Sequence, residues 1–224
     1  MRKQQQGFTL IEIAIVLVII GLLLGGVLKG QELIQNARVR NVIALQDGVK
    51  AAYFGFQDRY RGIPGDYTGA AANIPNAGAT CPGGGNSLID SIAESICAWY
   101  HLSRAGFITG NYTGTGTAAS ATNSPSNPFG GLMQLIFDNV YANVGTATNV
   151  HNVKTGTNIP ATTLAEVDRK IDDGIPDTGS FRFSEGWQTS SSACFTASTA
   201  GATPTVGAWS ILSTATQCGG VSLF

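Results

Sequence analysis

The stretch MRKQQQGFTLIEIAIVLVIIGLLLGG, residues 1–26, decides how the rest of the chain is read. It contains an apolar run interrupted by one carboxylate, Glu12, and preceded directly by a glycine, Gly7. Ile13 to Leu28 is sixteen residues without a charge, and Phe8 to Leu28 is twenty-one residues in all. At the helical rise that length spans about 30 Å, the thickness of a bilayer's hydrocarbon core. Arg2 and Lys3 precede the run, which predicts a cytoplasmic N-terminus and a remainder on the far side of the membrane. A secretory signal peptide predicts a shorter apolar region and a small-residue cleavage site after it. Here the run leads instead into KGQELIQNARVR, residues 29–40, which reads as continued helix.

A plain membrane anchor explains the length of this segment but not Glu12. A carboxylate within a membrane helix costs roughly 2.5–3.5 kcal/mol at its centre and less near its end, so a partner is expected. Cleavage after Gly7 creates one. The new α-amine on Phe8 can neutralise Glu12 of a neighbouring copy in a low-dielectric setting, or Glu12 of its own helix four residues away. A small residue at position 7 suits entry of extended backbone into a protease.

The basic leader, the run G-F-T-L-I-E at residues 7–12 and the apolar stretch after it together resemble the class III signal of type IV prepilins and type II secretion pseudopilins. The resemblance implies that a membrane aspartyl peptidase cuts between Gly7 and Phe8 and methylates the new N-terminal Phe8. It also implies that Glu12, the fifth residue of the cleaved chain, guides assembly. The implied product is a structural subunit, anchored in the bacterial inner membrane by one pass with its head in the periplasm, then extracted into a periplasmic or extracellular filament. The implied partners are other pilins or pseudopilins, the prepilin peptidase, an assembly ATPase, an inner-membrane platform protein and membrane lipid before assembly. One departure stands out: many members carry a proline where this chain has Lys29. Gly21, Gly25, Gly26 and Gly30 remain as weak points of the helix, or as small residues for close helix packing.

Beyond the apolar run, Val42, Leu45, Val49, Ala52, Phe56 and Tyr60 recur at helical spacing, and no proline precedes Pro64. The expected organisation is a leader at 1–7, an apolar half-helix at 8–28, an amphipathic half-helix at 29–60 and a globular head at 61–224. The expected fold class is α+β: a long N-terminal helix packed on an antiparallel sheet, as in pilins. RGIPGDY, residues 61–67, breaks the helix with turn chemistry, and Asp66 can bond nearby backbone. A second helix is expected from Ser87 to Gly106, with Ser87 and Asp90 as a cap pair and Ile89, Ile92, Ile96, Trp99 and Leu102 on its apolar face. Residues 109–128 read as a polar loop, and strands are expected within 131–144, 180–187, 207–213 and at the final GVSLF.

The net charge of −1 and the 12% content of charged residues exclude a basic nucleic-acid surface and a charge-driven disordered chain. Four cysteines, Cys81, Cys97, Cys194 and Cys218, all follow the apolar run, and none forms a C-x-x-C pair. With only two histidines in the chain, a zinc site is not indicated, and two disulfides in an oxidising compartment are expected. Of three connectivities, nearest-neighbour pairing is the one anticipated; four free buried thiols is the alternative. Asp168, Asp172, Asp173 and Asp177 fall within ten residues, which suits a hard cation such as calcium or ordinary turn chemistry. The spacing is not the D-x-D-x-D-G loop, and turn chemistry is the stronger reading. His101 and His151 read as packing or surface residues, and Trp187, Phe195 and Trp209 as core aromatics rather than an adhesive patch. No nucleophile elbow, phosphate loop, dinucleotide fingerprint or HExxH occurs, so the chain reads as a substrate of enzymes rather than an enzyme, with no cofactor beyond the calcium option. Two rivals to the filament subunit remain: a minor, tip-located pilin that binds a substrate or surface, and a membrane-tethered periplasmic enzyme.

Overall fold

In a computed structural model, residues 9–184, 192–199, 205–212 and 215–224 are described. Helix α1 is one uninterrupted element, Leu10–Tyr60, 51 residues long. The chain divides into two units between residues 38 and 39. In the first, every apolar side chain from Leu10 to Leu28 is exposed, so the segment has no protein core of its own. In the second, Val39, Val42, Gln46, Val49, Tyr53 and Phe56 form the buried stripe at spacings of 3, 4, 3, 4 and 3. The sequence reading of this face is right at Val42, Val49, Ala52 and Phe56. It overstates Leu45 and Tyr60, which are half-buried, and does not anticipate Gln46.

The second unit holds the remaining elements. A four-residue helix α2, Ala70–Asn73, precedes helix α3, Ile92–Arg104. The expected start of α3 at Ser87 is four residues early. Ser91 is the N-cap, its hydroxyl accepting from the Glu94 N–H at 3.2 Å, while the Glu94 carboxylate accepts from the Asp90 N–H at 3.1 Å. This S-x-x-E pair fixes the helix start by satisfying the Glu94 N–H, and Ile92, expected on the apolar face, is exposed. Gly106 ends the helix in a left-handed conformation, φ +79°, and lets Phe107 N–H reach Leu102 C=O at 2.9 Å.

Strands β1 (Gln134–Asp138), β2 (Val150–Lys154), β3 (Phe181–Phe183) and β6 (Gly220–Leu223) make an antiparallel sheet in the order β1-β2-β6-β3. Helix α4, Ala161–Ile171, connects β2 to β3, and β4 (Phe195–Thr196) pairs with β5 (Ala208–Trp209) in a small second sheet. Of the strand expected at 180–187, residues 181–183 are strand and 185–187, including Trp187, lie outside the described residues. The strand expected at 207–213 shrinks to Ala208–Trp209.

Leu135 and Val153 on one sheet face join Val49, Tyr53, Phe56, Trp99 and Leu102 in one apolar cluster. Phe181 and Phe183 join Val39, Val42, Leu164 and Trp209 in another. Register puts Gln134 opposite Lys154 and Ile136 opposite Asn152, so the other face of β1 and β2 carries a polar set. There the Lys154 ammonium, 2% exposed, meets the Asp138 carboxylate at 2.6 Å, and Asn152 donates to the same carboxylate at 3.0 Å. A long N-terminal helix with a four-stranded antiparallel sheet is the α+β arrangement of a pilin.

Candidate functional site

Helix α1 begins at its polar entry. Thr9 stands in the N-cap position: its C=O accepts the first helical bond, from Ile13 N–H at 3.4 Å. The Glu12 carboxylate Oε2 accepts from both the Thr9 N–H and the Thr9 hydroxyl at 2.8 Å each, and the Glu12 N–H points back to Thr9 Oγ1 at 3.4 Å. This is a capping box written T-x-x-E. The carboxylate therefore has two donors inside its own chain, at the helix end where the backbone dipole favours negative charge. That matters in hydrocarbon, where an unsatisfied polar group costs several kcal/mol. The signal lies in the sequence, as Thr9 three residues before Glu12, a local partner nearer than the Phe8 amine. Gly7 and Phe8, the residues expected to flank the cleaved bond, lie outside the described residues.

Below this cap, the helix is long and apolar enough to cross a membrane. Leu10, Leu17, Leu22 and Leu28 project outward, and β-carbons added at Gly21, Gly25, Gly26 or Gly30 would meet nothing within 4 Å. An apolar surface of this extent, rimmed by polar residues, needs lipid or other helices to cover it. Lys29 pairs with Glu32 at 2.7 Å in solvent-exposed geometry where the apolar run ends.

The four cysteines lie in the second unit. Cys81 is bonded to Cys97, with Cα atoms 5.6 Å apart, and Cys194 to Cys218, with Cα atoms 5.7 Å apart. The first bond ties the loop before α3 to the helix itself. The second ties the turn just before β4 to the segment leading into β6.

Around the first bond the loop is held by two buried polar residues. Asp66 accepts from the N–H groups of Gly85 at 2.5 Å, Asn86 at 3.3 Å and Ser87 at 2.6 Å. Its backbone partners are therefore about twenty residues ahead rather than beside it. His101, fully buried, accepts from Gly65 N–H at Nδ1 (2.9 Å), which leaves Nε2 as the N–H donating to Cys81 C=O at 3.1 Å. Burial pushes its pKa down to about 4, against the opposing pull of the Cys81 carbonyl. His151 is half-buried against Phe137 and Tyr53 at ring distances of 4.9 and 5.6 Å, and burial lowers its pKa too.

The acidic loop after α4 is arranged as follows. Asp168 accepts from Trp209 Nε1–H at 2.7 Å and from Gly174 N–H at 3.1 Å. Burial raises its carboxyl pKa to about 6, with nearby Asp173 and Asp172 adding to the rise. Asp172 accepts from the N–H groups of Ser180 and, at 2.7 Å, Phe181. Asp173 accepts from Ile175 N–H at 2.8 Å and the Thr178 hydroxyl. Asp177 accepts from Ser198 N–H at 2.6 Å and the Ser198 hydroxyl at 2.9 Å. One oxygen each from Asp168, Asp172 and Asp173 falls within 4.8 Å of the others, and Asp177 stands outside that group. Every one of the four carboxylates thus fastens loop backbone or a neighbouring side chain.

Residues 2–28 match a family model described as the prokaryotic N-terminal methylation motif, which is the class III signal of type IV pilins and pseudopilins. No curated protein and no solved structure matches the chain.

Proposed function

From the class III signal that this chain carries, we propose that it is a structural subunit of a type IV filament, either a pilin or a type II secretion pseudopilin. Prepilin peptidase cuts it between Gly7 and Phe8 and methylates Phe8. The membrane-held subunit is then extracted, by an ATPase and an inner-membrane platform, into a polymer built on its N-terminal helix. The chain is the substrate of this machinery and not an enzyme. The observation that carries the reading is a fully exposed apolar helix segment with a single carboxylate held at its N-terminal end. Lipid covers that segment before assembly and sister helices cover it afterwards.

Glu12 has a role in each state. In the membrane, Thr9 supplies it with donors. In the polymer, the Phe8 amine of a neighbouring copy competes for the same oxygens with a full positive charge, and in low dielectric the attraction of two opposite charges outweighs the pull of the uncharged Thr9 donors. Registry between copies then follows from that pairing.

Glu12→Val keeps the apolar run and removes the carboxylate. It should leave membrane insertion and the head intact, yet reduce sedimentable polymer by at least tenfold. Normal polymer yield from Glu12→Val would remove the proposed role. Mass spectrometry of the purified subunit should find an N-terminus at methylated Phe8; a subunit that retains Met1 in the polymer contradicts the reading.

A further inference from the structure

The ion pair between Lys154 and Asp138 is unlike the others among the described residues. Lys29–Glu32 and Arg61–Asp58 stand in solvent, with every side chain more than half exposed. The Lys154 and Asp138 side chains are 2% and 18% exposed and meet at 2.6 Å. The pair is also diagonal. Lys154 stands opposite Gln134 in the β1–β2 register, whereas Asp138 stands opposite Val150, four positions along. The lysine therefore reaches along the sheet, past the position of Asn152, to find its carboxylate. Asn152 is fully buried, and its Nδ2 donates to the second oxygen of that carboxylate, Oδ1, at 3.0 Å. One carboxylate thus has an amine on one oxygen and an amide N–H on the other.

This arrangement is suited to more than attraction. Nζ lies 2.6 Å from Oδ2, and a C–O bond is about 1.2 Å long, so Nζ is at most about 3.8 Å from Cγ. Reacting atoms in a near-attack pair are about 3–3.5 Å apart. Two opposite charges taken out of water carry a desolvation cost that a neutral amide between the same atoms does not. An N–H aimed at Oδ1 stabilises the charge that would develop there during attack on Cγ.

We propose that Lys154 and Asp138 condense into an amide that joins β1 to β2. A proton first passes from the ammonium to Oδ2, which leaves a neutral amine and a carboxylic acid. The amine lone pair attacks Cγ, and the C=O electron pair moves to Oδ1, where the Asn152 N–H holds the charge. The nitrogen passes a second proton to the Oδ2 hydroxyl. The Cγ–Oδ2 bond then breaks, the double bond to Oδ1 re-forms, and water leaves by the partly exposed side of Asp138. One C–N bond forms and one C–O bond breaks. Nothing is oxidised or reduced, and no co-reactant is needed. The bond braces β1, an edge strand of the sheet, against its neighbour. It forms whether or not the chain polymerises.

Peptide mass spectrometry of the purified full chain tests this bond. Trypsin cuts after lysine and arginine but not after an acylated lysine. Residues 105–169 should therefore appear as one peptide, lighter by one water than their sequence. Separate peptides 105–154 and 155–169 at sequence mass would overturn the proposal. Loss of ammonia in place of water would overturn it too, because that places the bond on Asn152. Lys154→Arg keeps a cation beside Asp138 but has no amine to acylate. Circular dichroism should show it folded, and trypsin should cut it at position 154 with no water lost. Asn152→Leu keeps both reacting groups and removes the donor to Oδ1. Linkage followed from the time of synthesis should slow by about 10²–10³, the usual effect of losing one such donor. An unchanged rate in folded Asn152→Leu protein would overturn the part assigned to Asn152.

Discussion

His101 joins two backbone segments through one neutral ring, and that neutrality makes the head sensitive to pH. Its folded pKa, about 4, lies below the ordinary 6.5. Between those values the unfolded chain binds a proton that the native one does not, so this contribution is complete above pH 6.5 and is lost as pH falls towards 4. The difference is worth about 3 kcal/mol. Asp168 acts in the opposite sense. Its folded pKa, about 6, lies above the ordinary 3.8, so its contribution is complete below pH 3.8 and is lost as pH rises through 6. Over pH 4–6.5 the two largely offset each other. Asp168→Asn keeps an acceptor for Trp209 and removes one side of that balance. Its melting temperature should therefore fall more steeply than that of the wild type as pH drops from 6.5 to 4, with melts followed by near-ultraviolet circular dichroism in detergent. Parallel pH profiles for the two proteins would contradict the assignment. Gln46 supplies a second test at this scale. It is 1% exposed, and neither its amide nitrogen nor its oxygen has a partner among the described residues. Leaving such a group buried costs about 1–3 kcal/mol, so Gln46→Leu, close in volume, should raise the unfolding midpoint by about that much in urea titrations. A lower midpoint would mean that the amide is satisfied by ordered water.

The elements differ in how plainly they show in the sequence, and the difference follows the polarity of what they bury. Helix α1 is legible because its first half is apolar all round and its second half repeats buried positions every three or four residues. Helix α4 is not legible in the sequence. Its buried face includes Ala161, Leu164, Ala165 and Asp168, spaced for a helix, yet it closes on a carboxylate that Trp209 and Gly174 make tolerable. Strand β2, VHNVK, hides for the same reason. Asn152 and Lys154 look like loop residues until Asp138, two strand positions beyond Ile136, is placed against both of them. The Thr9–Glu12 cap was legible in principle, as the Ser91–Glu94 cap was, because both follow a four-residue rule. Asp66 was not: its three N–H donors come from a loop that no local pattern ties to it. This long-range fastening is testable. Asp66→Ala removes a charged acceptor shared by Gly85, Asn86 and Ser87 while the Cys81–Cys97 bond still closes the loop. Stability should drop by about 2–4 kcal/mol, and limited proteolysis should cut newly within residues 82–90. Unchanged protease resistance there would show that the disulfide alone orders the loop.

At the scale of the whole molecule, the boundary between residues 38 and 39 separates two different solvents for one helix. No described residue before Val39 is buried, whereas Val39 and Val42 are at most 2% exposed within the second apolar cluster. The core of the head therefore begins inside α1 and not at the turn where α1 ends. Two truncations separate these regions. A chain starting at residue 36 loses the whole apolar run but keeps Val39 and Val42. It should be soluble without detergent and melt within a few degrees of the full chain, because every residue of the buried core is retained. A chain starting at residue 47 loses both valines and Gln46. Burial of a valine side chain is worth about 1.5–3 kcal/mol, so removing the pair should lower stability by about 3–6 kcal/mol. That is a large share of the 5–15 kcal/mol typical of a whole domain. Differential scanning calorimetry of the two fragments measures the gap directly. Equal melting temperatures would show that the first turns of α1 beyond residue 38 are not part of the head's cooperative unit. Aggregation of the longer fragment would show that the head depends on the membrane half of its own helix.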